Sequence, residues 1–220
     1  MDMAEQMAQA SSPAIYVVDD DDSVRGAVLD LLRAEGHAAR GFADGAAFVA
    51  DFVEEVGGEA PSCLVCDMHM PGLDGFAVAA ALARDGIDIP VIFMTGFGTI
   101  PMSVRAMKAG AVEFLTKPIV PDALLQAVRD ALALDAARLA GRRELAALRQ
   151  RHASLTPRER ETMQLVIGGL LNKQVADALG VSEIMAKTHK RKVMEKMAAR
   201  SLPDLVRHAE RLRIEKTRSR

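Results

Sequence analysis

The stretch YVVDDDDSVR, residues 16–25, places residues that favour a β-strand directly before four consecutive aspartates, Asp19 to Asp22. Crowded carboxylates repel one another and need a positive partner from elsewhere in the chain. An amphipathic helical pattern follows near residues 23–35. We expect Asp22 at the start of that helix, where a carboxylate suits the positive end of the helix dipole. The fold must therefore bring a cation to the end of the first strand.

The alternation of short apolar runs with longer amphipathic runs continues from residue 14 to about residue 135. Five apolar runs predict strands: AIYVV (14–18), HAARGF (37–42), SCLVC (62–66), PVIFM (90–94) and AVEFL (111–115). Strands that alternate with helices predict an α/β fold with a doubly wound, five-stranded parallel sheet of the flavodoxin-like kind.

Polar side chains follow four of the predicted strands. Asp19 and Asp20 follow the first strand, Asp67 the third, Thr95 the fourth and Lys117 the fifth. Ligands of such sheets bind at the carboxyl ends of the strands, so these side chains are expected to converge. Clustered carboxylates with few softer ligands suit Mg²⁺, with the three aspartates as its oxygen donors.

Charge divides the 220 residues into two unlike parts. Residues 1–140 hold 9 Lys and Arg against 21 Asp and Glu, whereas residues 141–220 hold 19 against 9. A net charge of −12 joined to one of +10 indicates an acidic domain followed by a basic one. The basic part favours a nucleic-acid partner, and the alternative is an ordinary solvated basic surface.

Signals of membrane, secreted, zinc and redox proteins are missing from the sequence. No apolar run of about 18 residues occurs, and residues 1–13 lack the pattern of a secretory signal. We therefore expect a flexible N-terminal tail at 1–13 and a cytoplasmic protein with no membrane partner. Cys63 and Cys66 form a C-x-x-C inside a predicted strand, where their odd separation directs them to opposite faces, so a shared metal or disulfide is disfavoured.

The basic part carries two short helical patterns around a glycine. LTPRERE begins a helix with Thr156, Pro157 and Glu159, which form a strong capping pattern. NKQVADALG and SEIMAKTHKRKVMEKM then predict two helices, with a turn at Gly180 and a cap at Ser182. Two short helices around such a turn are typical of the helix-turn-helix motif.

The second of these helices has two unlike faces when its residues are placed at about 100° each. Its inward positions are Ala186, His189, Val193 and Met197. The positions expected to enter a major groove are Lys187, Thr188 and Arg191. The two cations can donate to guanine or phosphate, and the threonine methyl can meet a thymine methyl. The cations expected to neutralise phosphates are Lys190, Lys192, Lys196 and Arg200.

The first part of the chain, about residues 14–135, resembles the receiver domain of bacterial two-component response regulators. VVDDDDSVR, CDMHMPGLDG and FMTGFGTIPMSVRAMKAGAVEFLTKP carry the resemblance. It implies that Asp67 accepts a phosphoryl group from a sensor histidine kinase with Mg²⁺ bound, and that Thr95 and Lys117 contact the phosphoryl oxygens. It also implies that the main-chain carbonyl of His69 is a metal ligand, its imidazole facing solvent. Phe114 would act as a switch together with Thr95, although a plain core role for Phe114 stays open.

The second part resembles the LuxR-type four-helix DNA-binding domain over residues 154–212, and the whole chain resembles the FixJ/NarL subfamily. LTPRERE, GLLNKQVADALGVSE, KTH and VMEKM carry this resemblance. The family usually has Thr-Val before the lysine of the recognition helix, and Met185 and Ala186 stand there instead. A hydroxyl that could reach a phosphate is therefore missing.

These observations predict a receiver domain at 14–135, a helical linker at 136–153 and a LuxR-type helix-turn-helix domain at 154–220. The linker is expected as one long helix or as two with a break near Gly141. The expected function is a non-enzymatic transcription regulator, in which phosphorylation of Asp67 promotes dimerisation and binding to double-stranded promoter DNA, with RNA polymerase as a further partner. Three rivals stay open: a phosphatase or phosphotransfer sink, a regulator that ignores phosphate, and an RNA-binding output.

Overall fold

A five-stranded parallel sheet is central to the first part of the computed structural model, which describes residues 13–54 and 60–217. Its strands are β1 (Ala14–Val18), β2 (Ala38–Phe42), β3 (Ser62–Asp67), β4 (Val91–Thr95) and β5 (Glu113–Thr116). They lie in the order β2-β1-β3-β4-β5, and every neighbouring pair is parallel. This order confirms the predicted flavodoxin-like sheet. The tail predicted at residues 1–13 lies outside the described residues, apart from Pro13.

Helices alternate with these strands and cover the sheet. They are α1 (Asp22–Ala34), α2 (Gly45–Glu54), α3 (Gly75–Arg84), α4 (Ile100–Lys108) and α5 (Pro121–Ala153). Two separate apolar clusters form the core, one containing Cys66 and the other Cys63. Successive side chains of a strand point to opposite faces, so this separation confirms the prediction for the two cysteines. Both thiols are free and buried, and burial raises the pKa of Cys63 to about 12.

Four more helices follow: α6 (Pro157–Ile167), α7 (Asn172–Leu179), α8 (Glu183–Lys196) and α9 (Leu202–Arg211). They enclose a third apolar cluster, which includes Met163, Val193 and Leu205. The chain divides into two compact units, residues 1–139 and 140–220. This division falls within α5, which continues past Gly141 without a break.

Candidate functional site

The polar side chains predicted to converge do meet at one edge of the sheet. Asp19 directly follows β1, while Asp67 and Thr95 are the last residues of β3 and β4. Lys117 directly follows β5, and its main-chain amide donates to the Thr95 carbonyl over 2.7 Å. Because these four strands are parallel, their carboxyl ends share an edge and set the spacing of the groups.

Three carboxylates and one ammonium form the centre of this edge. Asp19, Asp20 and Asp67 each present an oxygen within 4.8 Å of the others. Nζ of Lys117 lies 2.8 Å from Oδ2 of Asp19 and 2.8 Å from Oδ2 of Asp67. Asp19 and Asp67 are buried, whereas Asp20 is exposed. Lys117 is thus the cation that the crowded aspartates require.

The strand-to-helix turn gives the neighbouring aspartates different tasks. The Asp21 carboxylate caps α1 by accepting from the amides of Ser23 and Val24. The Asp21 amide in turn donates to Oδ1 of Asp19 over 3.0 Å. The guanidinium of Arg25 donates to the Asp19 carbonyl over 2.7 Å. The Asp21 amide thus orients the Asp19 side chain, and Arg25 holds the Asp19 main chain, at the end of β1.

The first residue of α1 is Asp22, as expected, but the carboxylate that caps the helix belongs to Asp21. Asp22 instead forms a surface ion pair with Arg25, one turn along the helix. Neither Asp21 nor Asp22 belongs to the three-carboxylate group.

Burial and charge act in opposite directions on the titration of this centre. Burial raises the pKa of Asp19, although Lys117 and the Asp21 amide oppose the rise. Burial acts to lower the pKa of Lys117, but its contacts with Asp19 and Asp67 outweigh this and raise it. The ammonium is therefore firmly charged, while the buried Asp19 carboxylate is poorly solvated.

The carboxylate group fits a hard divalent cation such as Mg²⁺. Its donors are all oxygens, which Mg²⁺ prefers. Oδ2 of Asp19 is buried and faces the Lys117 ammonium at 2.8 Å. A buried oxygen with only a charge partner leaves coordination capacity for a metal ion.

Thr95 lies beside this centre and is already engaged. Its Oγ1 lies 3.3 Å from Nδ1 of His69 and accepts from the amide of Phe97 over 3.2 Å. The amide of His69 also donates to Oδ1 of Asp67 over 3.3 Å. The imidazole of His69 is exposed but also contacts Thr95, a contact that sequence reasoning missed. Phe114 is half-buried and packs against the Cys66 cluster.

A helix-turn-helix is present in the second unit. Gly180 ends α7 with φ of 64°, and the Ser182 side chain caps α8 by accepting from the amide of Met185. On α8, Ala186 and Val193 are buried. Lys187, Arg191 and Lys192 are exposed, and Thr188, His189 and Lys190 are partly buried. One face of α8 thus packs inside its unit, and the other presents cations to solvent.

Comparison with known proteins assigns a family to each part of the chain. Residues 15–129 match the family model described as response regulator receiver domain, and residues 153–209 match bacterial regulatory proteins of the luxR family. Nodulation protein W of Bradyrhizobium diazoefficiens is 45% identical over 94% of this chain and 89% of its own. The chain belongs to the LuxR-type response regulators. It is a two-component transcriptional regulator with a receiver domain and a DNA-binding domain.

Further relatives match along most of the chain. Transcriptional regulatory protein FixJ of Azorhizobium caulinodans is 40% identical over 89% of this chain and 90% of its own. The solved structure of response regulator StyR has 43% identity and a TM-score of 0.79, covering 91% of this chain and 99% of that one. Full-length FixJ from B. japonicum has 36% identity and a TM-score of 0.55, over 91% and 97% of the two chains.

The structure gives Lys196 a different partner from the DNA phosphate predicted for it. Its ammonium lies 2.6 Å from Oε2 of the buried Glu159 and donates to the Ser154 carbonyl over 3.3 Å. Glu159 also accepts from the amide of Thr156 in a capping box. A lysine held by an internal carboxylate must leave it to reach a phosphate, and the phosphate contact of Lys196 stays a prediction.

Across residues 13–54 and 60–217, no helix is both long enough and apolar enough to span a bilayer.

Proposed function

We propose that Asp67 is the phosphoacceptor of this response regulator and that a sensor histidine kinase is its donor. The observation that carries the proposal is the position of Lys117, 2.8 Å from both Asp67 and the buried Asp19. Phosphoryl transfer requires a placed nucleophile and fixed positive charge near the transferred oxygens. The edge of the sheet supplies both.

In the proposed reaction, a carboxylate oxygen of Asp67 attacks the phosphorus of a phosphohistidine. A P–O bond forms as the P–N bond breaks, and the electron pair of the broken bond stays with the leaving imidazole. Lys117 offsets charge on the transferred oxygens, and Thr95 donates its hydroxyl to one of them after leaving His69. Asp19, Asp20, Asp67 and the His69 carbonyl would hold Mg²⁺, which when bound neutralises further charge.

Movement of Thr95 toward the phosphoryl group would then change the surface near Phe114 and favour dimers. An exposed apolar surface adjoins this region, formed by Phe97, Ile100, Val104 and Met107. The last three share one face of α4, because they are spaced by three and four residues. A second copy of the receiver domain is the occupant that we propose for this surface.

For the output, we propose that Lys187, Thr188 and Arg191 contact bases and that Lys190 and Lys192 contact phosphates of promoter DNA. The proposed domains are residues 14–135, a linker at 136–153 and residues 154–220. We place the protein in the cytoplasm, with RNA polymerase as a further partner. We assign it no catalysis beyond its own phosphotransfer and dephosphorylation.

Labelling with radioactive acetyl phosphate tests the acceptor. We expect Mg²⁺-dependent incorporation that Asp67→Asn abolishes, while Asp85→Asn, in an exposed turn after α3, incorporates label normally. Equal labelling of the Asp67→Asn variant would refute the assignment.

Sedimentation of the beryllofluoride-loaded protein tests the dimer surface. Ile100→Lys should prevent dimerisation but keep normal labelling, because a charge in an apolar contact is costly. Val53→Lys, at an exposed apolar position of α2, is the matched control and should still dimerise. Dimers of unchanged stability in Ile100→Lys would exclude this surface.

A further inference from the structure

The exposed face of α8 carries an apolar side chain among its cations. Ile184 is 77% exposed, at the second position of the helix. At about 100° per residue, Ile184 lies between Arg191 and Thr188 around the helix, with Lys187 on the far side of Arg191. Ile184 therefore occupies the middle of the face that faces DNA in the proposed function.

The hydroxyl of Thr188 is already used inside the helix. Its Oγ1 donates to the Ile184 carbonyl over 2.9 Å. The methyl of Thr188 is then the part of that side chain left for outside contacts, and it lies one turn from Ile184. The two residues together form an apolar patch, which we call the 184/188 patch.

Charged groups flank the 184/188 patch. Nζ of Lys187 lies 3.3 Å from Oε1 of Glu183, an exposed pair that contributes little and can open on binding. Arg191 is exposed on the next turn. Cations on such a face hold a polyanion, but they do not explain a branched aliphatic side chain between them.

We propose that the 184/188 patch reads the C5-methyl group of a thymine, and that Ile184 is thereby a specificity-determining residue. The inference rests on the proposed DNA contacts of α8. The thymine methyl is the one apolar group that base pairs present in the major groove. Cytosine carries only a hydrogen at C5, so it offers the patch no methyl contact, and the patch would favour thymine over cytosine.

The first step of the test defines the DNA site. Beryllofluoride-loaded full-length protein is used to select duplexes from a random-sequence library, and each thymine of the enriched site is then replaced by deoxyuridine. This replacement removes one methyl and keeps every hydrogen-bonding group. At one thymine per half-site we expect about fourfold weaker binding, equivalent to ~0.8 kcal/mol for one buried methyl.

Variants then assign the methyl contact. Ile184→Ala should bind the thymine site several-fold more weakly and should no longer distinguish thymine from deoxyuridine at that position. Met185→Ala is the matched control: Met185 is the neighbouring exposed apolar residue but lies about 100° away, and this variant should keep the fourfold difference. Thr188→Ser keeps the hydroxyl and removes the methyl, so a partial loss of the difference is expected.

Two results would overturn the inference. One is wild-type protein that binds deoxyuridine and thymine duplexes equally at every position. The other is an Ile184→Ala variant that still distinguishes thymine from deoxyuridine as fully as wild type does. That result would also be seen if Ile184 served a protein contact instead. Failure of the proposed function looks different, since no duplex would then be enriched at all.

Discussion

Removal of the Lys117 ammonium should destabilise the receiver domain when no divalent ion is present. The ammonium lies 2.8 Å from an oxygen of Asp19 and 2.8 Å from an oxygen of Asp67. At an effective dielectric constant of about 20, each contact has a Coulomb attraction of roughly 6 kcal/mol, most of which desolvation offsets. Removing one partner of a buried pair costs about 3–5 kcal/mol. Because the Lys117 side chain is 19% exposed, we expect Lys117→Met to cost about 3 kcal/mol at pH 7.

The pH dependence gives this prediction a second, independent readout. Burial holds the pKa of Asp19 above its ordinary value in the folded protein. Such a group favours the fold while protonated, and this contribution is lost as the pH rises through its folded pKa. Lys117→Met removes a charge that opposes the upward shift. The loss of unfolding free energy in Lys117→Met should therefore shrink as the pH falls from 7 toward the pKa of Asp19. Adding Asp19→Asn should remove most of that loss.

Urea unfolding in EDTA measures the effect, with fluorescence of Tyr16 as the probe. Tyr16 is the sole tyrosine of a chain without tryptophan, and it lies buried in the receiver core. Lys108→Met, at an exposed lysine of α4, is the control and should unfold like wild type. Added Mg²⁺ should stabilise Lys117→Met more than wild type, because it replaces the lost charge. If Lys117→Met unfolds at the same urea concentration as the control, the argument from paired charges fails.

Three further predictions concern other parts of the chain. Glu159→Gln should lower the unfolding free energy of the DNA-binding domain by about 2 kcal/mol at pH 7, because the buried carboxylate loses its charged bond to Lys196. The Lys196 contact lowers the pKa of Glu159 against the effect of burial. The difference in unfolding free energy between wild type and Glu159→Gln, measured by circular dichroism, should therefore disappear as acid protonates Glu159 in wild type. Leu171→Ser should stabilise the same domain by about 1 kcal/mol in a thermal melt, because Leu171 occupies the N-cap of α7 and its side chain has no hydrogen-bond acceptor. No gain in stability would mean that the leucine makes a compensating contact. Cys63 and Cys66 should resist a thiol reagent at pH 8 until urea is added, because burial raises both pKa values, and rapid labelling of the folded protein would contradict their burial.

Strand ends were the most predictable part of the receiver. The last residues of parallel strands share an edge, so Asp19, Asp67 and Lys117 could be brought together from chain order alone. Strand boundaries were less predictable. The apolar run at 111–115 predicted the last strand, but β5 is Glu113–Thr116. Ala111 and Val112 precede the ladder and pack in the cores, and Val112 donates one main-chain hydrogen bond to the Val91 carbonyl.

Contacts between distant side chains could not be predicted in the same way. The pairing of Lys196 with Glu159 joins α8 to α6, and no local periodicity records it. The contact of His69 with Thr95 depends on the path of the loop after β3. Ile184 could have been found from the sequence, since the angular placement that selects Lys187 and Arg191 also includes position 184.

The charged groups of the receiver site lie at or directly after the ends of strands, and the loops supply the rest of the site. Asp67 pairs in register with Met94 as the final residue of β3, between two neighbouring strands. One residue inserted before Cys63, at the start of β3, would turn Asp67 to the other side of the sheet and exchange the two cysteines between cores. Insertions in the turns beyond would leave the aspartates in place. Descendants of such a protein can therefore acquire new signalling partners by remodelling turns and helix surfaces while the phosphate-handling groups stay fixed.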